Sequence, residues 1–156
     1  MYSEQDLSVV RLQLKRRRLL VWLPAAVAAA GILLNVLFLR TEWLTYLLFV
    51  VSGFILVFGL DFFVKPVKKY AEFIDLALHG RSRESEAVFC RFDEDVAERD
   101  GVKVFPLIMS AGDPENEKDD RLYYYDALLD RPGWKAGDRL LITYHDKFIV
   151  FWKKTV

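Results

Sequence analysis

Two polar side chains interrupt otherwise apolar sequence, and their chemistry is the first thing to explain. Asn35 lies in the apolar run 19–39 and Asp61 in the run 43–64. A carboxylic acid kept in lipid is costly and often belongs to a proton relay or an ion path. An amide in the same setting hydrogen-bonds to a neighbouring helix. Asp61, however, falls within one turn of the end of its run, four residues before Lys65. At that depth a carboxylate reaches the interface and pairs with Lys65, or with Arg18 of the other run. Asn35 is near the opposite interface, where a hydrogen bond to the second helix or to another copy is enough to account for it.

Other reactive types are sparse. Cys90 is the one cysteine, and His79 and His145 stand far apart, with no CxxC or HxxxH spacing. No metal site is expected from such a set. The acidic stretch 113–120 lacks the alternating oxygen ligands and closing glutamate of a calcium loop, so it reads as a solvated loop, as do Asp93, Glu94 and Asp95. There is no phosphate-cradling glycine loop and no nucleophile elbow. Tyr123, Tyr124, Tyr125 and Trp134 could stack bases. The segment after Val64 is slightly acidic, though, and nucleic-acid binding rests on a basic footprint. His145 beside Asp146 reads as a turn residue. The expectation is a protein that is not an enzyme, with no cofactor, no metal and no nucleic-acid partner.

The elements around these residues are dominated by the two apolar runs. Each is about twenty residues long, which as a helix spans roughly 30 Å of hydrocarbon. Only Arg40, Thr41 and Glu42 separate them, so 19–64 is expected to form a transmembrane helical hairpin. Its partner is the lipid bilayer. Ala25, Ala26, Ala29 and Ala30 give the first helix small-xxx-small spacings, and Ser52, Gly53 and Gly59 are expected to meet that side from the second. Trp22, Trp43 and Tyr46 suit the interfaces. The first run is too long for a signal-peptide core.

Charge orients the hairpin. Arg16, Arg17 and Arg18 precede it and Lys65, Lys68 and Lys69 follow it, while Arg40 and Glu42 cancel at the turn. The positive-inside rule places both ends of the chain in the cytoplasm of a multi-pass cell-membrane protein. A lone cysteine, which allows no intrachain disulfide, agrees with a reducing compartment. The basic arm 1–18 is expected to be an amphipathic helix at the headgroup surface, with Ser3 as N-cap and Asp6 three residues on.

After the hairpin, Val67, Tyr70, Ala71, Ile74 and Leu78 recur at helical spacing. They define an amphipathic linker helix over 65–80 that stops at Gly80. The period then changes. Strands are expected over 86–93, 102–109, 121–129, 139–145 and 148–153, with 81–85 as a polar connection and turns at Asp100-Gly101 and Asp146-Lys147. Pro106 suggests an edge strand or a bulge. The domain 81–156 is therefore expected to be a small five-stranded antiparallel β-barrel of oligonucleotide-fold or SH3-like type. Its core should draw on Val88 or Phe89, Val104, Leu107, Tyr124, Leu140, Ile142, Ile149 and Phe151, the inward set of each strand being open. The fold class is membrane α+β.

Gly80-Arg81, Asp100 to Val102, Leu122 to Asp126, and Gly137-Asp138 through Tyr144-His145 with Ile149-Val150 carry a resemblance to small membrane proteins of Gram-positive bacteria that have no assigned activity. The order of parts is also similar to that of NfeD-like proteins, which carry a small oligonucleotide-fold barrel after membrane helices. The resemblance covers most of the chain, contains no catalytic motif and implies no activity. The expected function is a non-enzymatic membrane scaffold or accessory subunit that presents the barrel to a protein partner or in a homo-oligomer. The alternatives are a transport or proton-conducting component using Asn35 and Asp61, and a sensor of the inner leaflet acting through Arg16, Arg17, Arg18 and Lys68.

Overall fold

A computed structural model describes residues 1–110 and 119–155. Most of the expected acidic loop, Asp113, Glu115 and Glu117 included, lies outside the described residues. The chain forms two units, one of residues 8–71 and one of residues 1–7 with 72–156.

The helices are longer than the sequence reading has them. Helix α1 (Glu4–Leu34) continues through π turns at Asn35–Leu39, and α2 (Glu42–Phe58) continues through π turns at Gly59–Val64 into α3 (Lys65–His79). No break falls at 18/19 or 64/65. The basic arm and the linker helix are thus parts of the same two rods, because Arg, Lys and Leu at those junctions favour helix. The rods, Glu4–Leu39 and Glu42–His79, are long and apolar enough to cross a membrane, with stretches of mean hydropathy 2.2 and 2.5. Arg40, at φ 51°, makes the turn between them. Pro66 cannot donate to the carbonyl of Phe62, and the widened turns at Gly59–Val64 lie at that point.

In unit 8–71 the covered positions of the first rod include Val10, Leu14, Arg17, Val21, Ala25, Ala28, Ile32 and Asn35, with Pro24 and Gly31 beside them. Those of the second include Thr41, Thr45, Leu48, Ser52, Ile55 and Gly59, then Val64, Val67 and Ala71, with Leu44, Leu56 and Tyr70 beside them. Steps of three and four make a seam of coiled-coil type. The single five-residue step, from Gly59 to Val64, coincides with the π turns, which absorb one extra residue and return the seam to its partner. The pairing is antiparallel. A Cβ on Gly31 would touch Leu48 at 3.5 Å, and one on Gly59 would lie 2.8 Å from both methyls of Val21.

The other unit carries a six-stranded mixed sheet of β1 (Arg83–Phe92), β2 (Ala97–Arg99), β3 (Val102–Ser110), β4 (Asp120–Asp126), β5 (Arg139–His145) and β6 (Phe148–Lys154). The order is β1-β5-β6-β4-β3-β2, and β1 also pairs with β3. The expected five antiparallel strands need correcting twice. Asp100 (φ 54°) and Gly101 (φ 80°) form a left-handed two-residue turn, which lays Ala97–Arg99 against Val102–Val104 as an extra strand. The β4–β6 pairing is parallel. Strand β1 also starts inside the expected polar connection, because Arg83 to Ser85 pair with Tyr144 to Ile142. Pro106 is not on an edge strand. It sits where β3 changes partner, between the β2 ladder that ends at Val104 and the β1 ladder that begins at Leu107, so no ladder bond is lost to its missing N–H.

The core holds Ala87, Phe89, Leu107, Met109, Tyr123, Tyr125, Leu140, Ile142 and Ile149, with Phe92, Trp134 and Trp152 packed against it. Two one-residue register shifts set its parity. One lies between Phe89 and Arg91, so that Phe92 joins Phe89 at the core. The other lies beside Val150, so that Trp152 follows Ile149 inward and Phe151 is left 52% exposed, against expectation. Tyr124 is buried on the face opposite Tyr123 and Tyr125, against Phe148 at 5.5 Å. Residues 1–7 fold with this unit instead of forming part of a free surface helix. The Tyr2 hydroxyl donates to Asp126 at 2.9 Å, the Tyr2 ring meets Phe73 edge-on at 5.6 Å, and Glu4 reaches His79 at 3.1 Å.

Candidate functional site

The polar residues of the helical unit hold the hairpin together locally. Asn35 is buried; its side-chain amide donates to the Thr41 carbonyl at 2.8 Å and to the Thr45 hydroxyl at 2.7 Å, and its backbone carbonyl accepts the Arg40 N–H at 2.7 Å. It fastens the turn to the start of α2. Asp61 lies at the other end of the hairpin, exposed and paired with Lys65 at 3.2 Å. The structure therefore does not bring Asn35 and Asp61 together. The guanidinium that crosses between the rods is Arg17, donating to the Phe63 carbonyl in the π turns at 3.1 Å. Arg16, Arg18, Lys65, Lys68 and Lys69 are exposed.

The expected packing set divides. Ala25, Ser52 and Gly59 lie in the seam, whereas Ala26, Ala29, Ala30 and Gly53 are exposed, and a Cβ on Gly53 would meet nothing within 4 Å. The three-four spacing from Val21 through Ala25 and Ala28 turns positions 26, 29 and 30 to the outer side. An apolar cleft of about 450 Å³ opens beside Gly59, lined by Val21, Phe54, Phe58 and Phe62, with Arg17 at its edge.

A cavity of the sheet unit, about 660 Å³, is of a different kind. Its wall is made by Arg81 from the segment after α3, Arg83 of β1, Asp120 to Tyr123 of β4, Tyr144 and His145 of β5, and the Asp146-Lys147 turn. Strand pairing assembles it. Arg83 lies opposite Tyr144 in the β1–β5 ladder. The single parallel bridge between Tyr124 and Phe148 brings the start of β4 to the β5–β6 turn, where the Tyr124 N–H bonds to the Lys147 carbonyl at 2.9 Å. That turn is tight, with Asp146 at φ 45° and Lys147 at φ 73°.

His145 is fixed from two sides. Its Nδ1 lies 2.8 Å from the Arg81 carbonyl, a contact that requires a proton on Nδ1. Gly80 leaves room for the ring, since a Cβ there would sit 3.1 Å from it and would also run into the Leu76 carbonyl oxygen. Its Nε2 is left towards Asp146, 3.6 Å away. The Tyr123 and Tyr144 rings meet edge-on at 5.1 Å. Burial pushes the Tyr123 phenol above its ordinary value, with Tyr144 adding to the shift and Arg121 opposing it.

The cations of this groove, Arg81, Arg83, Arg121 and Lys147, are exposed, and none of the four forms an ion pair among the described residues, although Arg121 hydrogen-bonds to the Tyr123 phenol. Other cations of the unit are also engaged. Arg99 donates to the Tyr124 hydroxyl at 3.0 Å and Arg131 lies over the Phe105 ring at 4.1 Å. Lys154 pairs with Asp138 at 2.8 Å. Sequence reading places these groove residues separately, Arg81 and Arg83 in a connection, Arg121 at a strand start and Lys147 in a turn. The one usable signal is that each stands at the end of a strand, and only the pairing of β1 with β5 and of β4 with β6 shows that those ends coincide. Set against protein-family models, curated proteins and solved structures, the chain matches none of them.

Proposed function

We propose that this chain is an integral membrane protein that crosses the bilayer twice as a helical hairpin and keeps both ends in the cytoplasm, where it displays a small β-barrel as a non-enzymatic scaffold or accessory subunit. One observation carries the membrane reading. The large apolar side chains of both rods point outward: Leu20 is 72% exposed, Phe38 77% and Phe49 71%. Such continuous apolar faces are unfavourable in water, at about 25 cal/mol per Å², and match the hydrocarbon of a bilayer. The basic residues at the Arg17 and Lys65 end, against a charge-balanced turn, support the orientation. Closure into a barrel is supported by the β1–β3 pairing, which leaves β2 alone outside the ring of strands. The outward small residues Ala26, Ala30 and Gly53 support self-association through the helices.

The test is extraction and labelling. The protein should stay with membranes in alkaline carbonate. Cys90 should react with an impermeant maleimide only after cells are opened, and a cysteine placed at Thr41 in a Cys90→Ser background should react in intact cells. Release by carbonate, or labelling of Cys90 in intact cells, would overturn the reading.

A further inference from the structure

We propose that the groove between β1, β4 and the β5–β6 turn binds a phosphate-bearing anion. This goes beyond the scaffold reading and does not depend on its orientation.

Three guanidiniums and one ammonium, from three separate places in the sequence, border one cavity of about 660 Å³. Like charges gathered in this way repel one another, and an anion between them removes the repulsion. None of the four is neutralised by an ion pair among the described residues. Asp120 and Asp146 also border the groove, and they leave the cations in excess by two. That residual charge suits a di-anionic group better than a single carboxylate. Guanidinium forks match the oxygens of a phosphate two at a time, and Lys147 adds a point charge. The cavity exceeds what a bare phosphate needs and falls in the range of small-molecule sites, so the phosphate is one part of a larger ligand. Leu122, 39% exposed, and the Tyr144 ring offer the rest of that ligand an apolar wall. His145, held through Nδ1, turns Nε2 towards Asp146 at 3.6 Å.

A phospholipid headgroup and a soluble phosphate compound share this chemistry. The full chain in phosphatidylcholine nanodiscs separates them, with the Nε–Hε NMR signals of the groove arginines as readout. Pyrophosphate should shift those signals saturably, and Arg83→Gln or Lys147→Gln should each weaken the apparent affinity about tenfold. Arg139→Gln, a control outside the groove, should leave it unchanged. If discs containing phosphatidylglycerol shift the same signals without pyrophosphate and compete with it, the phosphate is that of a lipid; if they do not, it is soluble. The proposal fails if neither source moves the signals, if sulfate and citrate move them equally at the same concentration, or if both groove variants bind as the parent does. The readout is local to the groove, so failure of the membrane topology experiment leaves this result intact, and the reverse holds.

Discussion

In the helical unit most large apolar side chains point out and only a thin seam of mixed size points in; in the sheet unit most of the large apolar side chains are covered. Leu20, Phe38 and Phe49 stand on the outside of the rods, while Leu107, Ile142 and Ile149 are fully covered by the strands. The two units nevertheless share one device. Each uses an extra residue to re-phase its pattern, the helical unit once along its seam and the sheet unit twice. In a helix one residue turns the following positions by about 100°, and the π turns at Gly59–Val64 absorb it. In a strand one residue flips the following positions to the other face, and the bulge beside Val150 does so.

The sheet side of that comparison can be broken most directly. With the bulge in place, Ile149→Ala empties a covered site and should lower stability by about 2–5 kcal/mol. Phe151→Ala should change it by no more than about 0.5 kcal/mol, although simple alternation puts both residues on one face. Denaturant unfolding followed by tryptophan fluorescence reads this cleanly once Trp22 and Trp43 are replaced by Phe, because Trp134 and Trp152 then report the sheet alone. Equal effects from the two substitutions would remove the bulge from the account.

The same device marks how far the sequence could be read. Composition alone separates the rods from the sheet, and alternation offers Val88 or Phe89, Leu107, Leu140, Ile142 and Ile149 as core candidates without fixing the inward set; Phe89 and the other four are in the core. Phe151 and Trp152 exchange places because the shift beside Val150 has no marker in residue type; a valine there is an ordinary strand residue. Ala26, Ala29 and Ala30 were as plausible as Ala25 for the seam, because small size does not reveal which side of a helix faces its partner. The groove was the least legible part. Its four cations come from three distant places in the chain, and one parallel bridge, Tyr124 to Phe148, brings the start of β4 to the turn that bears Lys147.

The helical side is tested at Gly59, with a smaller expected effect. A Cβ there meets both methyls of Val21, a short branched side chain that is itself buried. Gly59→Ala should therefore lose about 1–3 kcal/mol through overpacking, despite the better helix propensity of alanine. Gly53→Ala, facing open space, should be neutral or gain up to about 1 kcal/mol. Pairing Val21→Ala with Gly59→Ala should recover most of the loss. Unfolding in mixed micelles, followed by helical ellipticity, makes the comparison; a loss at Gly53 as large as at Gly59 would mean that the seam runs elsewhere.

The smallest expected effect concerns where the first residues belong. Asp6 accepts hydrogen bonds from the Ser3 hydroxyl at 2.7 Å and the Ser3 N–H at 2.9 Å, and these hold its carboxyl below the usual carboxylate value. Asp138 is lowered in the same direction by the Lys135 N–H and then by Lys154. A carboxyl whose value is depressed in the folded state stabilises that state fully above its unfolded value, about 3.9, and the contribution fades as pH falls through the lower folded value. Acidification below about pH 4 should therefore weaken the unit that contains residues 1–7 and 72–156. Asp6→Asn and Asp138→Asn should each flatten part of that acid limb, and Ser3→Ala, which keeps the Ser3 N–H bond, should do so less than Asp6→Asn. Because Tyr2 and Glu4 tie the start of α1 to Asp126 and His79, the Asp6 effect should appear in the fluorescence of Trp134 and Trp152. An acid limb seen only in helical ellipticity would instead assign residues 1–7 to the hairpin, and the division of the chain at Leu7 would have to move.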